Sequence, residues 1–97
     1  MYTVKLDGKE YILRCDLNVI ERIEEKYGNL NDALKKQGTV ECIKFLLAEM
    51  INEHYYYAGI PEQVTEKYVG ARLTSAELET VMGTTLSCLL DCVCKKK

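Results

Sequence analysis

Tyr2-Thr3-Val4-Lys5-Leu6-Asp7-Gly8-Lys9-Glu10-Tyr11-Ile12-Leu13-Arg14-Cys15 decides the fold class. Tyr2, Val4 and Leu6 alternate with polar residues, the period of a strand with one buried face. Asp7-Gly8 follows, and a type I′ turn needs positive φ at both central residues, which this pair tolerates. Lys9 to Cys15 reads as the returning strand, with Tyr11 and Leu13 on one face and Ile12 on the other. Two strands alone are marginally stable in water, so one face must pack on something else.

That partner is helical. Asp16 is a good N-cap and Gly28 a good left-handed C′ residue. Between them Leu17, Ile20, Ile23 and Tyr27 recur at helical spacing, with Glu21, Arg22, Glu24, Glu25 and Lys26 opposite. Asn29 to Gln37 gives a short helical segment with Leu30, Ala33 and Leu34 inward, ended by Gly38. Thr39 caps a long helix whose wide apolar face runs Val40, Ile43, Leu46, Leu47, Met50, Ile51, His54, Tyr55 and Ala58. Gly59 closes it, and Ile60-Pro61 prevents continuation. This helix should be the central element of the core. Thr65 to Arg72 is a short helix, weakened by Gly70. Thr74-Ser75-Ala76-Glu77 is a capping box. Beyond it Leu78, Val81, Met82, Thr85, Leu86, Leu89, Leu90 and Val93 share one face, and Gly83 costs this last helix about 1 kcal/mol. The expected architecture is α+β, mainly α. A β-hairpin (1–15) precedes a bundle of four to five helices (16–94) and a basic tail (95–97), all in a single domain over 1–97.

Size and composition agree. The chain has 97 residues, 47% apolar and 29% charged, with a net charge of −2. One core is feasible at this length and two are not. The sequence pI of about 5.4 argues against a broad basic face for nucleic acid. No run of about 18 apolar residues spans a membrane. The N-terminus lacks the basic-then-apolar layout of a signal peptide, so a cytoplasmic location is expected. Five cysteines, Cys15, Cys42, Cys88, Cys92 and Cys94, form an odd set without framework spacing, and should be thiols in a reducing compartment.

No motif of catalysis or phosphate binding is present, so an enzyme is not expected and no cofactor is implied. His54, the single histidine, has no recognisable nucleophile or acid partner, and a histidine in or beside the core is the commoner case. Cys88 and Cys92 lie four apart on one helix face, with Cys94 roughly 200° away from Cys92. A zinc site would need Cys15 or Cys42 to complete it, whereas small buried thiols are the ordinary alternative. Tyr55-Tyr56-Tyr57 carries more information. Successive helical residues stand about 100° apart, so three tyrosines cannot share one core face. An exposed tyrosine near Met50 and Phe45 would make a protein interface. Tyrosines lining the rim of the core are the equal alternative. The hairpin edge, through Val4 and Leu6, offers a second contact surface, where pairing between copies would make a larger sheet and an oligomer; Lys5 and Lys9 as guards against such pairing are the alternative.

The hairpin with Gly8-Lys9-Glu10-Tyr11 precedes a helix over Asp16–Gly28 that ends Ile23-Glu24-Glu25-Lys26-Tyr27-Gly28. The segment Asn29-Leu30-Asn31-Asp32-Ala33-Leu34 follows, and later Val64-Thr65-Glu66-Lys67-Tyr68-Val69 and a final helix. Over nearly the whole chain this layout resembles the tail assembly chaperones of long-tailed bacteriophages and prophages. The cysteine-rich last helix departs from that pattern, and no role is carried onto its thiols.

The resemblance implies a non-enzymatic protein of the bacterial cytoplasm, absent from the mature virion. It would bind the tape measure protein and other tail assembly proteins and would self-associate. A tape measure protein exposes apolar helical stripes that aggregate unless covered, and a small acidic domain with an apolar surface covers them reversibly. The expected contacts are Val4, Leu6, Phe45, Met50, Tyr55, Tyr56 and Tyr57. The family often makes a longer form by ribosomal frameshifting. Lys95-Lys96-Lys97 fits an A-rich slippery codon run, and equally a solubilising helix end. The residues also admit a small bacterial adaptor or regulatory domain, and a cysteine-based metal or redox protein.

Overall fold

The computed structural model describes residues 1–29, 32, 35 and 39–94. Strands β1 (Tyr2–Leu6) and β2 (Lys9–Leu13) form an antiparallel pair with Leu6 opposite Lys9 and Tyr2 opposite Leu13. Asp7 at φ 55° and Gly8 at φ 82° make the two-residue turn, as the Asp-Gly pair requires. Four helices are described: α1 (Leu17–Tyr27), α2 (Val40–Ala58), α3 (Glu66–Arg72) and α4 (Ser75–Cys94). The fold is α+β, mainly α. The expected inward Leu30, Ala33 and Leu34, the closing Gly38 and the tail Lys95–Lys97 lie outside the described residues.

Capping sets the helix limits. The Asp16 carboxylate accepts from the Asn18 and Val19 amides, the Thr39 hydroxyl from Cys42, and the Thr65 hydroxyl from Tyr68. Gly59 ends α2 in the left-handed conformation at φ 78°. At α4, Thr74 Oγ1 accepts from the Glu77 amide at 3.3 Å. The return half of the expected capping box does not form, because Glu77 Oε1 is buried without a hydrogen-bond partner.

The sheet packs on its own chain, with β2 against α2 and β1 against α4. Its inner face, Val4, Leu6, Tyr11 and Leu13, joins Val19 and Ile23 of α1, most of α2, Val69 of α3, and Val81, Cys88 and Leu89 of α4 in one core. The folded surface is 5992 Å², close to the roughly 5,700 Å² that a chain of this mass should expose. As expected, α2 is central: its buried set, Cys42, Ile43, Phe45, Leu46, Leu47, Ala48, Met50, Ile51 and Glu53, wraps most of its circumference.

Several facing assignments need correction. Leu17 is 81% exposed, and Val19 takes the inward place on α1 beside Ile20, Ile23 and Tyr27. Leu17 stands at the first helical position, beyond the reach of α2. Val40 and Leu90 are exposed for a related reason, one at a helix start and the other on the rim of the α4 stripe. Cys15 is not in the strand. The Arg14 amide leaves the ladder to donate to the Met50 carbonyl at 3.2 Å, and Asp16 then starts α1.

Candidate functional site

The expected contact residues divide in two. Val4, Leu6, Phe45 and Met50 belong to the core, with exposures of 7% or less, so their side chains cannot meet a partner. Val4 and Leu6 point at the helices because the pleat sends alternate residues to one face. Met50 and Phe45 are enclosed because helices and sheet surround α2. Tyr55 is half-buried against the core. Tyr56 and Tyr57 are exposed.

Tyr56 and Tyr57 stand on the last turn of α2, at the end of the molecule where α1 begins. Two contacts tie these ends together. The Arg14 guanidinium lies over the Tyr57 ring at 3.7 Å, and the Asn18 side-chain amide donates to Glu53 Oε2 at 2.9 Å. Leu17, at the start of α1, is a further exposed apolar side chain. The sequence pointed to the tyrosines through their 100° spacing. It gave no sign of Leu17, whose position matched the inward stripe.

A polar cleft of about 460 Å³ opens beside Tyr56, lined by Asn18, Arg22, Glu49, Asn52, Glu53 and Gln63. Its floor is rigid. Asn52 donates to the Val64 carbonyl at 2.8 Å and accepts the Val64 amide at 2.7 Å, holding the segment before α3. Arg22 Nε sits 3.3 Å from Glu49, and its Nη1 3.8 Å from the buried Glu53. The Asp16 and Glu53 carboxyls stand near enough to affect each other's protonation. Burial, then the neighbouring Asp16, raises the Glu53 pKa above the usual carboxylate range, against the opposing Asn18 bond and Arg22 charge. Burial pushes Asp16 up too, but Glu53, the Val19 amide and Arg14 outweigh it and leave Asp16 lowered. Glu53 thus keeps its proton to higher pH than Asp16 does.

This pair makes a pH prediction. A raised carboxyl contributes stability that is present below its unfolded value near 4.5 and is lost as pH rises through its folded value. The lowered Asp16 contributes above 3.8 and loses that contribution as pH falls through its folded value. Glu53→Gln keeps the shape and a donor without the charge. Urea unfolding at pH 4.5, 5.5 and 7 should show the variant gaining on the wild type as pH rises. A constant difference would refute the raised Glu53 carboxyl.

A second cleft collects the thiols. Cys15, His54, Cys88 and Cys92 line it together with Tyr57 and Arg14. Cys42 lies apart, against Tyr27. Among the described residues no group of three or more His, Cys, Asp and Glu side chains is arranged to hold a metal ion. Burial raises the Cys15 thiol and pushes Cys88 up to about 11, which keeps both protonated and weakly nucleophilic at neutral pH. The His54 ring stands 6.3 Å from Tyr55. Compared with protein-family models, curated proteins and solved structures, the chain matches none. Among the described residues no helix is long and apolar enough to cross a membrane.

Proposed function

We propose that this chain is a non-enzymatic tail assembly chaperone of a long-tailed phage or prophage. It binds apolar helical segments of the tape measure protein in the bacterial cytoplasm and leaves before the virion is complete. The observation that carries this reading is the exposed pair Tyr56 and Tyr57, backed by Arg14 on the Tyr57 ring. Large amphipathic rings held on a stiff helix end cover an apolar stripe at a small entropic cost, and aromatic anchors of this kind concentrate binding energy. The neighbouring cleft, with Arg22, Glu49 and Gln63, supplies polar contacts at the rim of such an interface. The resemblance of the hairpin, the capped α1 and the Val64–Val69 segment to that family supports the same partner.

The test is co-expression with a tape measure protein of a long-tailed phage, taken from the genome that encodes this chain. Wild type should keep it in the soluble fraction. The double variant Tyr56→Asp, Tyr57→Asp should retain its far-UV spectrum and bind at least tenfold more weakly. Unchanged binding by the folded double variant overturns the placement of the surface. Failure of the wild type to bind overturns the chaperone reading and favours an adaptor for some other protein.

A further inference from the structure

The last turn of α4 docks where the hairpin hands over to α1. Tyr2 stands opposite Leu13 at the open end of the sheet, and the Tyr2 hydroxyl donates to the Asp91 carboxylate. Cys92 follows Asp91 on α4, and Cys15 lies two residues beyond Leu13. Two cysteines at opposite ends of the sequence therefore come to one place in the fold. Both line a cleft of about 590 Å³, together with Cys88. Cys15 and Cys92 are each half-buried free thiols, whereas Cys88 is buried. The Cys15 thiol stands near enough to Cys92 for that neighbour to affect its protonation.

Geometry selects which thiols can join. A disulfide needs Cβ atoms about 3.5–4.5 Å apart. Residues four apart on a helix hold their Cβ atoms about 5–6 Å apart, so Cys88 and Cys92 cannot bond while α4 stays helical. Cys42 is buried elsewhere, against Tyr27. Cys15 reaches the cleft from another part of the chain. It belongs to neither the ladder nor a helix, so its backbone can adjust to a bond that two helical residues could not make.

We propose that Cys15 and Cys92 are a redox pair, a dithiol at rest and closed to a disulfide by exchange with a small-molecule disulfide. The Cys92 thiol gives its proton to water, and its sulfur attacks one sulfur of the small disulfide. That S–S bond breaks, and one small thiolate leaves and takes up a proton. Cys15 then loses its proton, attacks the Cys92 sulfur and displaces the second small thiol. Two protein thiols are oxidised to one disulfide, and the small disulfide is reduced to two thiols. Burial keeps the Cys15 thiol protonated at neutral pH, which suits it to the second step, where closeness replaces a high thiolate fraction. In the dithiol form the Tyr2–Asp91 hydrogen bond holds the end of α4 reversibly. The disulfide makes the same junction covalent and closes most of the chain into one loop, the case in which a cross-link restricts the unfolded chain most. A reducing compartment keeps the pair open, and an oxidised thiol pool closes it. This inference does not depend on the chaperone reading.

The probe is oxidised glutathione, mixed with reduced glutathione at graded ratios and added to the native full chain. Free thiols are then blocked and the peptides mapped by mass spectrometry. The expected product is a monomer that has lost two hydrogens, with Cys15 joined to Cys92. Its thermal midpoint should stand roughly 5 °C or more above that of the reduced chain. Cys15→Ser should stop at a glutathione adduct on Cys92, Cys92→Ser should leave Cys15 without a protein partner, and Cys88→Ser should still close the bond. Far-UV circular dichroism confirms that each variant is folded. The proposal is overturned if the native chain keeps its thiols in oxidised glutathione, if the bond maps to another pair or joins two chains, or if the midpoint does not rise. It is equally overturned if the bond forms faster in urea than in the native chain, because closure would then require unfolding.

Discussion

Replacing Met50 with alanine should lower the stability of this domain by about 2–5 kcal/mol, and replacing it with aspartate should leave no folded domain. Met50 has no exposed surface and lies at the middle of the central helix, within the single core that the hairpin and the helices share. Its backbone carbonyl also receives the Arg14 amide, so the end of β2 is anchored at the same residue. Alanine leaves a cavity that the surrounding helices cannot close fully. In a domain of this size that loss moves the melting midpoint down by roughly 10–30 °C. Aspartate adds an unpaired charge to the same space, and domains of this size have only about 5–15 kcal/mol to lose. Urea unfolding followed by far-UV circular dichroism measures both. A Met50→Asp protein with a near-wild-type midpoint would place Met50 at the surface and restore it as a partner contact.

Local signals carried most of the fold. Asp7-Gly8 named its turn because few other pairs adopt positive φ twice, and the structure has that turn. Thr39 and Gly59 bounded a helix of 19 residues at the same positions where it forms, because both ends are satisfied by residues adjacent in sequence. Tertiary information was less legible. Leu17 and Val19 both fit an apolar stripe on α1, and only the position of α2 decides that Val19 turns inward. Phe45 and Met50 looked available to a partner because a helix buried nearly all round has no polar face to orient it. Glu53 escaped notice as a site residue, although it stands three residues after Met50 and seven after Leu46, on the buried stripe. A carboxylate at that register is a signal of a paired buried acid, and its partners Asp16 and Asn18 lie more than thirty residues away in sequence. The orphan oxygen of Glu77 was hidden for the opposite reason. The capping box accounted for that residue locally, so nothing suggested that one of its carboxylate oxygens is buried without a hydrogen bond.

The second large effect is alkaline unfolding. Tyr11 is buried in the hairpin's inner face, and its hydroxyl meets the Tyr68 hydroxyl at 2.7 Å. Burial, then that hydrogen bond, pushes its pKa from 10.0 up to about 12. Cys88 is pushed from 9.0 up to about 11, by burial and then by the neighbouring Cys92. Burial raises Cys15 and Tyr27 as well. All four are acids whose neutral form the fold prefers. Each therefore contributes stability that is fully present below its unfolded pKa and is lost as pH rises through its folded pKa. For Cys88 the loss runs from about pH 9 to 11, and for Tyr11 from about pH 10 to 12. An elevation of this size corresponds to about 2–3 kcal/mol for each of these two groups. Together they remove a large part of the stability of a small domain before pH 12. Unfolding in urea at pH 8, 9, 10 and 11, with a phosphine reductant to hold the thiols reduced, should show a steepening fall above pH 9. Tyr11→Phe keeps the ring and removes the ionising hydroxyl. At pH 8 it should lose no more than the Tyr68 hydrogen bond, about 1 kcal/mol. Above pH 10 its curve should flatten and cross the wild-type curve. Curves that stay parallel to pH 11 would mean that the Tyr11 hydroxyl ionises as freely in the folded domain as in the unfolded chain, which a core position for that ring does not allow.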